Sequence, residues 1–229
     1  MSRHPLQRLS SPSRSFSALL HILGLLSFTG SFANPNELFL GFGGQFQFLT
    51  MIGLAMATAT FACGLLADIT LDSRLFELKN LLSVCSAPLE VLVSVLYWGL
   101  CAIDRDLVVP PELELSFISD FGFHAMPAIM LSLDLMLFSP PWTVRSYGAM
   151  AISMTVAFAY WGWVEYCFSK NGLYPYPIFE LLETWQRVLL FTFSAVLMTG
   201  STLALKWVYG TINGSEELKQ EALHPVKTD

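Results

Sequence analysis

The sequence predicts an all-α membrane protein, a polytopic bundle of about six transmembrane helices with both termini in the cytosol. Of its 229 residues, 54% are hydrophobic and only 13% are charged, whereas soluble domains carry roughly 25% charged residues. Long runs of the chain contain no charged residue at all. With a net charge of −6 and no basic face, the chain is also unlike a soluble enzyme or a nucleic-acid-binding protein.

Runs without Asp, Glu, Lys or Arg locate the spans, because a helix of about 20 apolar residues crosses the hydrocarbon core. Four runs are charge-free, and two further apolar segments carry acids, Glu90 in one and Asp120 and Asp134 in the other. Helices are expected because the backbone in lipid must satisfy its own hydrogen bonds. The six predicted spans lie near residues 16–33, 46–68, 81–103, 118–138, 147–168 and 187–209.

The first span has a second interpretation. Three arginines precede a short apolar run, and Ser31-Phe32-Ala33 is similar to a small-x-small cleavage site, so the segment also fits a cleaved signal peptide. As a span, it opens a membrane domain over residues 16–209, which lies between a cytosolic segment, 1–15, and a cytosolic tail, 210–229.

The distribution of Lys and Arg predicts the orientation. With the N-terminus inside, nine of these residues fall in inner segments, and the outer segments hold only Arg105, Lys170 and Arg187. Cytosolic loops carry the excess of Lys and Arg. The pattern therefore places both termini in the cytosol.

Ionisable residues inside spans mark candidate sites, since each costs about 2.5–3.5 kcal/mol at the centre of the membrane on insertion scales. His124 is expected near the N-terminal turn of the fourth span, where the helix dipole and desolvation favour a neutral imidazole that can accept a proton. Asp120, four residues earlier, is placed to orient the ring. A histidine bonded to a loop carbonyl or a lipid headgroup fits the sequence equally well.

The other acids have less defined roles. Asp134 lies ten residues after His124, about 15 Å along a helix, and is expected to reach the inner interface or to pair with Arg145. Glu90 has no partner that the sequence identifies. Glu165 ends the fifth span at a level where it can support a site with His124, although a solvated interfacial acid is an equal alternative.

Thr50 is a candidate nucleophile, because it lies near the outer end of the second span at a depth similar to that of His124. A threonine in a membrane helix more commonly bonds a carbonyl of its own helix. The sequence contains no metal-binding, nucleotide-binding or serine-hydrolase motif. It therefore predicts neither a cofactor nor a metal.

Several short motifs, in order and at matching spacing, resemble the androgen-induced-gene family of integral membrane proteins. The family segment W-K-F-L-T-x-I/W opens its second span, and DRE, G-M-H, an acid and G-x-x-x-Y-P-x-x-E follow. The matching residues here are Phe46-Gln47-Phe48-Leu49-Thr50-Met51-Ile52, Asp104-Arg105, Gly122-Phe123-His124, Asp134, and Gly172 with Tyr176-Pro177 and Glu180.

The resemblance implies a hydrolase of fatty acid esters of hydroxy fatty acids, with Thr50 as the nucleophile and His124 as the base. Its partners would then be membrane lipids and the acyl ester, and its location an endomembrane such as the endoplasmic reticulum, or the plasma membrane. Asp120 stands where the family has an amide. The alternatives are a non-catalytic membrane regulator or scaffold and a small lipid carrier.

Overall fold

Eight α-helices make up most of the chain that the structure, a computed structural model, describes, namely residues 11–33, 41–109 and 116–214. No strand occurs within these ranges, which confirms the all-α class. Two short 3₁₀ segments, Gly44–Gln47 and Arg105–Leu107, connect helices at one end of the bundle. The helices are α1 (Arg14–Phe32), α2 (Leu49–Thr70), α3 (Ser73–Ile103), α4 (Phe117–His124), α5 (Met126–Phe138), α6 (Ser146–Asn171), α7 (Ile178–Leu181) and α8 (Thr184–Asn213).

Four of these helices, α1, α2, α3 and α8, are long and apolar enough to cross a membrane. Helices α4 and α5 meet at an angle of 42° and form a fifth such segment when they are taken as one broken span. Helix α6 covers the predicted fifth span with 26 residues but is not one of these. The chain is therefore a polytopic membrane protein, and the count of six spans with cytosolic termini stays a prediction.

The predicted fourth span is broken next to His124. Helix α4 ends at His124, and Pro127 lies in the first turn of α5. Proline lacks an N–H group, and its ring clashes with the carbonyl four residues earlier, here that of Phe123. His124 is therefore the last residue of a short helix, and the prediction that it lies in an N-terminal turn is wrong.

The start of α2 is fixed against the end of α6. Trp163 Nε1 donates to the Phe46 carbonyl at 2.8 Å, and Asn171 Nδ2 donates to the Phe42 carbonyl at 3.0 Å. Gly43 makes the intervening turn with a φ of 89°, a conformation that favours glycine. These contacts set the position of Thr50 relative to α6.

A buried polar network joins α1, α2, α3 and α5. Lys79 Nζ donates to the two carboxylate oxygens of Asp134 at 2.8 and 3.1 Å. The ring of His21 bridges two acids, with Nδ1 2.7 Å from Asp68 and Nε2 3.2 Å from Asp134. The predicted location of Asp134 at the inner interface or beside Arg145 is therefore wrong, because the carboxylate is fully buried and paired with Lys79.

The same network corrects one step of the topology argument. Helix α3 begins at Ser73 rather than near residue 81, so Lys79 is a buried helical residue and not a loop charge. Without it, the inner segments still hold eight Lys and Arg against three outside, so the predicted orientation is unchanged.

Helix α1 is packed into the bundle. Phe28 is fully buried in the main apolar cluster, and His21 lies so close to Gly64 of α2 that a side chain there has no room. Helix α1 thus combines the length and apolar character of a membrane span with close packing against α2.

Candidate functional site

His124 is held by the residue one turn before it. Its Nδ1 lies 3.1 Å from the backbone oxygen of Asp120 and 3.4 Å from the carboxylate Oδ1. Both side chains are buried. When Nδ1 carries the hydrogen toward Asp120, Nε2 is the nitrogen that is left to accept a proton.

Tyr97 and Arg105 complete this cluster. The Tyr97 ring stacks on the His124 ring with centroids 3.4 Å apart and an interplanar angle of 4°, and its hydroxyl donates to Asp120 Oδ1. Arg105 Nη2 donates to Asp120 Oδ2 at 3.1 Å. Hydrogen bonds from Tyr97 and Arg105 thus hold the Asp120 carboxylate in place, and Asp120 in turn orients the His124 imidazole.

Tyr97 is a residue that sequence reasoning missed. It lies in the C-terminal half of α3, seven residues before the Asp104-Arg105 motif. That spacing places Tyr97 at a depth along the bundle similar to that of His124. The sequence does not show which side of the helix meets α4, and only the packed structure identifies it as the residue under His124.

Thr50 is the second residue of α2 and is buried. The first amides of a helix have no partner within it, and here the Leu49 N–H donates to Tyr160 Oη at 3.1 Å. The hydroxyl and amide of Thr50 are in polar contact with the hydroxyl of Tyr176. Burial raises the pKa of Tyr176, so this residue is a neutral phenol at physiological pH.

An apolar cavity lies beside Thr50 and beside Tyr97, the ring that stacks on His124. It lies between the start of α2, α3, α6, α7 and α8, and both Thr50 and Tyr97 line it. No direct hydrogen bond joins Thr50 to His124 among the described residues; the two are related through Tyr97, which lines the cavity and stacks on His124. Most other lining is apolar, including Leu89, Leu92, Val156, Leu190, Phe191 and Met198.

Glu165 lies in a different cluster from His124. Its carboxylate pairs with Arg187 Nε at 3.1 Å and accepts from Tyr174 Oη at 3.0 Å. Arg187 also donates to the carbonyls of Phe179 and Leu182. The pair therefore fastens the α6–α8 connection, residues 172–183, which supplies Tyr176 and Phe179 to the cavity wall.

Replacing Glu165 with glutamine is expected to loosen the α6–α8 connection. Partly exposed ion pairs contribute about 0.2–1 kcal/mol, so amide hydrogen exchange in residues 172–183 should accelerate by up to about fivefold. Glu180→Gln is the matched control, because Glu180 is exposed on the same loop. Equal exchange rates in the two variants would contradict the fastening role.

Glu90 remains apart from these clusters. It is 1% exposed, and neither carboxylate oxygen has a hydrogen-bond partner within the described residues. Its carboxyl group lies against Gly53 of α2. Among the residues that the structure describes, no group of three or more His, Cys, Asp or Glu is arranged to hold a metal ion.

Comparison with known proteins identifies relatives along most of the chain. The model of the FAR-17a/AIG1-like protein family matches residues 16–210. A UPF0641 membrane protein of Schizosaccharomyces pombe is 33% identical over 172 residues, covering 73% of this chain and 76% of its own length.

Two animal proteins are also similar. The androgen-induced gene 1 protein of Homo sapiens is 26% identical over 203 residues, covering 79% of this chain and 84% of its own length. The androgen-dependent TFPI-regulating protein of Mus musculus is 24% identical over 188 residues, covering 74% and 80%. No solved structure matches the chain. The chain belongs to the FAR-17a/AIG1-like family of membrane proteins.

Proposed function

We propose that the protein is a membrane hydrolase of lipid esters in which Thr50 is the nucleophile and His124 is the general base. One observation carries the proposal: Thr50 opens into a long apolar cavity whose wall also contains Tyr97, the ring on which His124 stacks. A hydroxyl, a buried imidazole oriented by a carboxylate, and an apolar cavity are the parts that lipid ester cleavage needs.

The reaction proceeds in two halves. Thr50 Oγ attacks the ester carbonyl while His124 Nε2 takes its proton, and the imidazolium returns that proton to the departing alcohol oxygen as its bond to the acyl carbon breaks. Water then attacks the acyl-threonine, with His124 again as the base, which releases the fatty acid and restores the Thr50 hydroxyl. Asp120 stabilises the imidazolium in both halves.

The beginning of α2 supports the negative charge that develops on the carbonyl oxygen. The dipole of a helix N-terminus favours an anion, and donors held in place before the reaction lower its barrier. The neutral Tyr176 hydroxyl adds a donor beside Thr50. Its raised pKa keeps it protonated during turnover.

The cavity and the family resemblance indicate the substrate. The cavity is lined almost wholly by apolar side chains, as small-molecule sites are, and such walls suit an acyl chain. A fatty acid ester of a hydroxy fatty acid is the substrate that the resemblance implies. With six spans and cytosolic termini, the site lies toward the non-cytosolic side of the membrane. That side is the lumen of an endomembrane compartment or the exterior of the cell.

A fluorophosphonate probe tests the nucleophile in the purified protein. We expect covalent labelling of the wild type at Thr50, located by peptide mass spectrometry, and loss of at least about 99% of it in Thr50→Ala. Thr58→Ala is the matched control, because Thr58 lies on the same helix and its hydroxyl only bonds the Leu54 carbonyl at 2.7 Å. Labelling that persists in Thr50→Ala, or a folded wild type that never labels, would favour a non-catalytic regulator.

A further inference from the structure

Glu90 is a buried acid that the proposed mechanism does not use. It lies in the middle of α3, is 1% exposed, and has no hydrogen-bond partner for either carboxylate oxygen among the described residues. A charged carboxylate without a partner is costly to bury, so the group is a neutral carboxylic acid. Buried polar groups in native proteins are hydrogen-bonded in the great majority of cases, which points to a partner other than these side chains.

Helix α2 relates this acid to Thr50. A Cβ atom placed on Gly53 would lie 2.6 Å from Glu90 Oε1 and 3.1 Å from its Cδ. Gly53 is three residues after Thr50, and side chains at that spacing start roughly 5–6 Å apart on one side of a helix. The Glu90 carboxyl group therefore lies within roughly 9 Å of the Thr50 Cβ atom.

Helix α3 relates the same acid to His124. Glu90 is seven residues before Tyr97, which places the two on one face two turns apart. Tyr97 stacks on His124, and the neighbours of Glu90 on the helix, Leu89 and Val93, line the cavity. The acid thus lies against α2 one turn after Thr50, and on α3 two turns before the ring that stacks on His124.

Resting on the proposed function, we infer that Glu90 is a third functional group of this site, a neutral carboxylic acid that donates a hydrogen bond to the carbonyl oxygen of the bound ester. The donor stabilises the charge that forms on that oxygen when Thr50 attacks. The proton stays on Glu90 throughout, so the steps at Thr50 and His124 are unchanged. A carboxylic acid kept neutral by an apolar site can serve as such a donor.

Two substitutions separate this role from a structural one. Glu90→Leu removes a buried polar group without a partner, so its thermal stability in detergent should equal or exceed that of the wild type. Its kcat on 4-methylumbelliferyl oleate should fall by about 100-fold, the usual loss of one such donor, with little change in KM. Glu90→Gln keeps an N–H donor and should retain kcat within about tenfold of the wild type.

Ser83→Ala is the matched control, since Ser83 is also fully buried on α3 and its hydroxyl has no partner within the described residues. We expect its kcat to be unchanged. A Glu90→Leu variant with wild-type kcat, or equal losses in Glu90→Leu and Glu90→Gln, would overturn the inference.

A rescue experiment uses the contact with Gly53. A carboxyl group attached at position 53 would enter the space that Glu90 fills, because a Cβ atom added there would lie 2.6 Å from Glu90 Oε1. The double variant Gly53→Asp/Glu90→Ala should therefore hydrolyse the oleate ester at least about tenfold faster than Glu90→Ala alone. A double variant that is folded and no faster would contradict the role of a carboxyl group at this place.

Thr50→Ala, measured beside these variants, separates the two proposals. An inactive Thr50→Ala with a fully active Glu90→Leu overturns only the role of Glu90. A Thr50→Ala variant with wild-type turnover overturns the proposed function itself. The rate of fluorophosphonate labelling provides the same comparison without turnover, and Glu90→Leu should slow it by more than about tenfold.

Discussion

His124→Ala is expected to lower the hydrolysis of 4-methylumbelliferyl oleate by about 10³-fold while the protein stays folded. The substitution removes the proposed base, and proton transfer by a positioned side chain contributes typically about 10²–10⁴-fold. The fold should survive, because His124 is the last residue of the short helix α4 and bonds only Asp120 in that helix. The measurement is kcat in detergent, together with the elution profile and melting temperature.

Two variants around His124 refine this result. Tyr97→Phe keeps the stacked ring and loses only the hydrogen bond to Asp120, so we expect a loss of less than about tenfold. Asp120→Asn removes the charge that stabilises the imidazolium and should be more severe than Tyr97→Phe. If His124→Ala retains kcat within threefold of the wild type, the base is another residue.

The second large effect concerns stability. Lys79→Met is expected to cost about 3–5 kcal/mol, because it leaves Asp134 charged, fully buried and short of its closest cation. For a chain of this size, the melting temperature in detergent should fall on the order of 10 °C. The drop is measured by thermal unfolding of the purified protein.

The double variant Lys79→Met/Asp134→Leu is the control for this prediction. It removes both members of the pair and leaves His21 bonded to Asp68 at 2.7 Å, so the remaining charges still balance. Apolar replacement of a whole buried pair is often neutral, and the double variant should recover most of the lost stability. If it is less stable than both single variants, the pairing does not explain the network.

The sequence located most of the helices because lipid imposes a strong local rule. Charge-free runs predicted segments that overlap α1, α2, α6 and α8, and an apolar segment with one acid predicted α3. The rule reports how apolar a segment is, so it missed the break at Ala125, where a proline and not a charge interrupts the helix. It also placed the start of α3 too late, because Lys79 is charged and yet buried beside Asp134.

The candidate site could likewise be predicted only in part from the sequence. Depth along a span placed Thr50 and His124 at one level. Spacing along a helix placed Asp120 beside His124, and the structure has these two side chains in contact. The contacts made by Tyr97, Tyr176 and Glu90 depend on which faces of separate helices meet. One sequence carries no direct record of these long-range pairings, and the same gap hid the partner of Asp134.

The central claim is that Thr50 carries the acyl group during turnover. The most direct test is to mix the purified protein with 4-methylumbelliferyl oleate, quench with acid during steady state, and map the modified peptide by mass spectrometry. The good leaving group makes the acyl-enzyme form faster than it breaks down, so we predict one oleoyl group on the Thr50 side chain and none in Thr50→Ala. Turnover without acylated Thr50, or an oleoyl group on another residue, would contradict the claim.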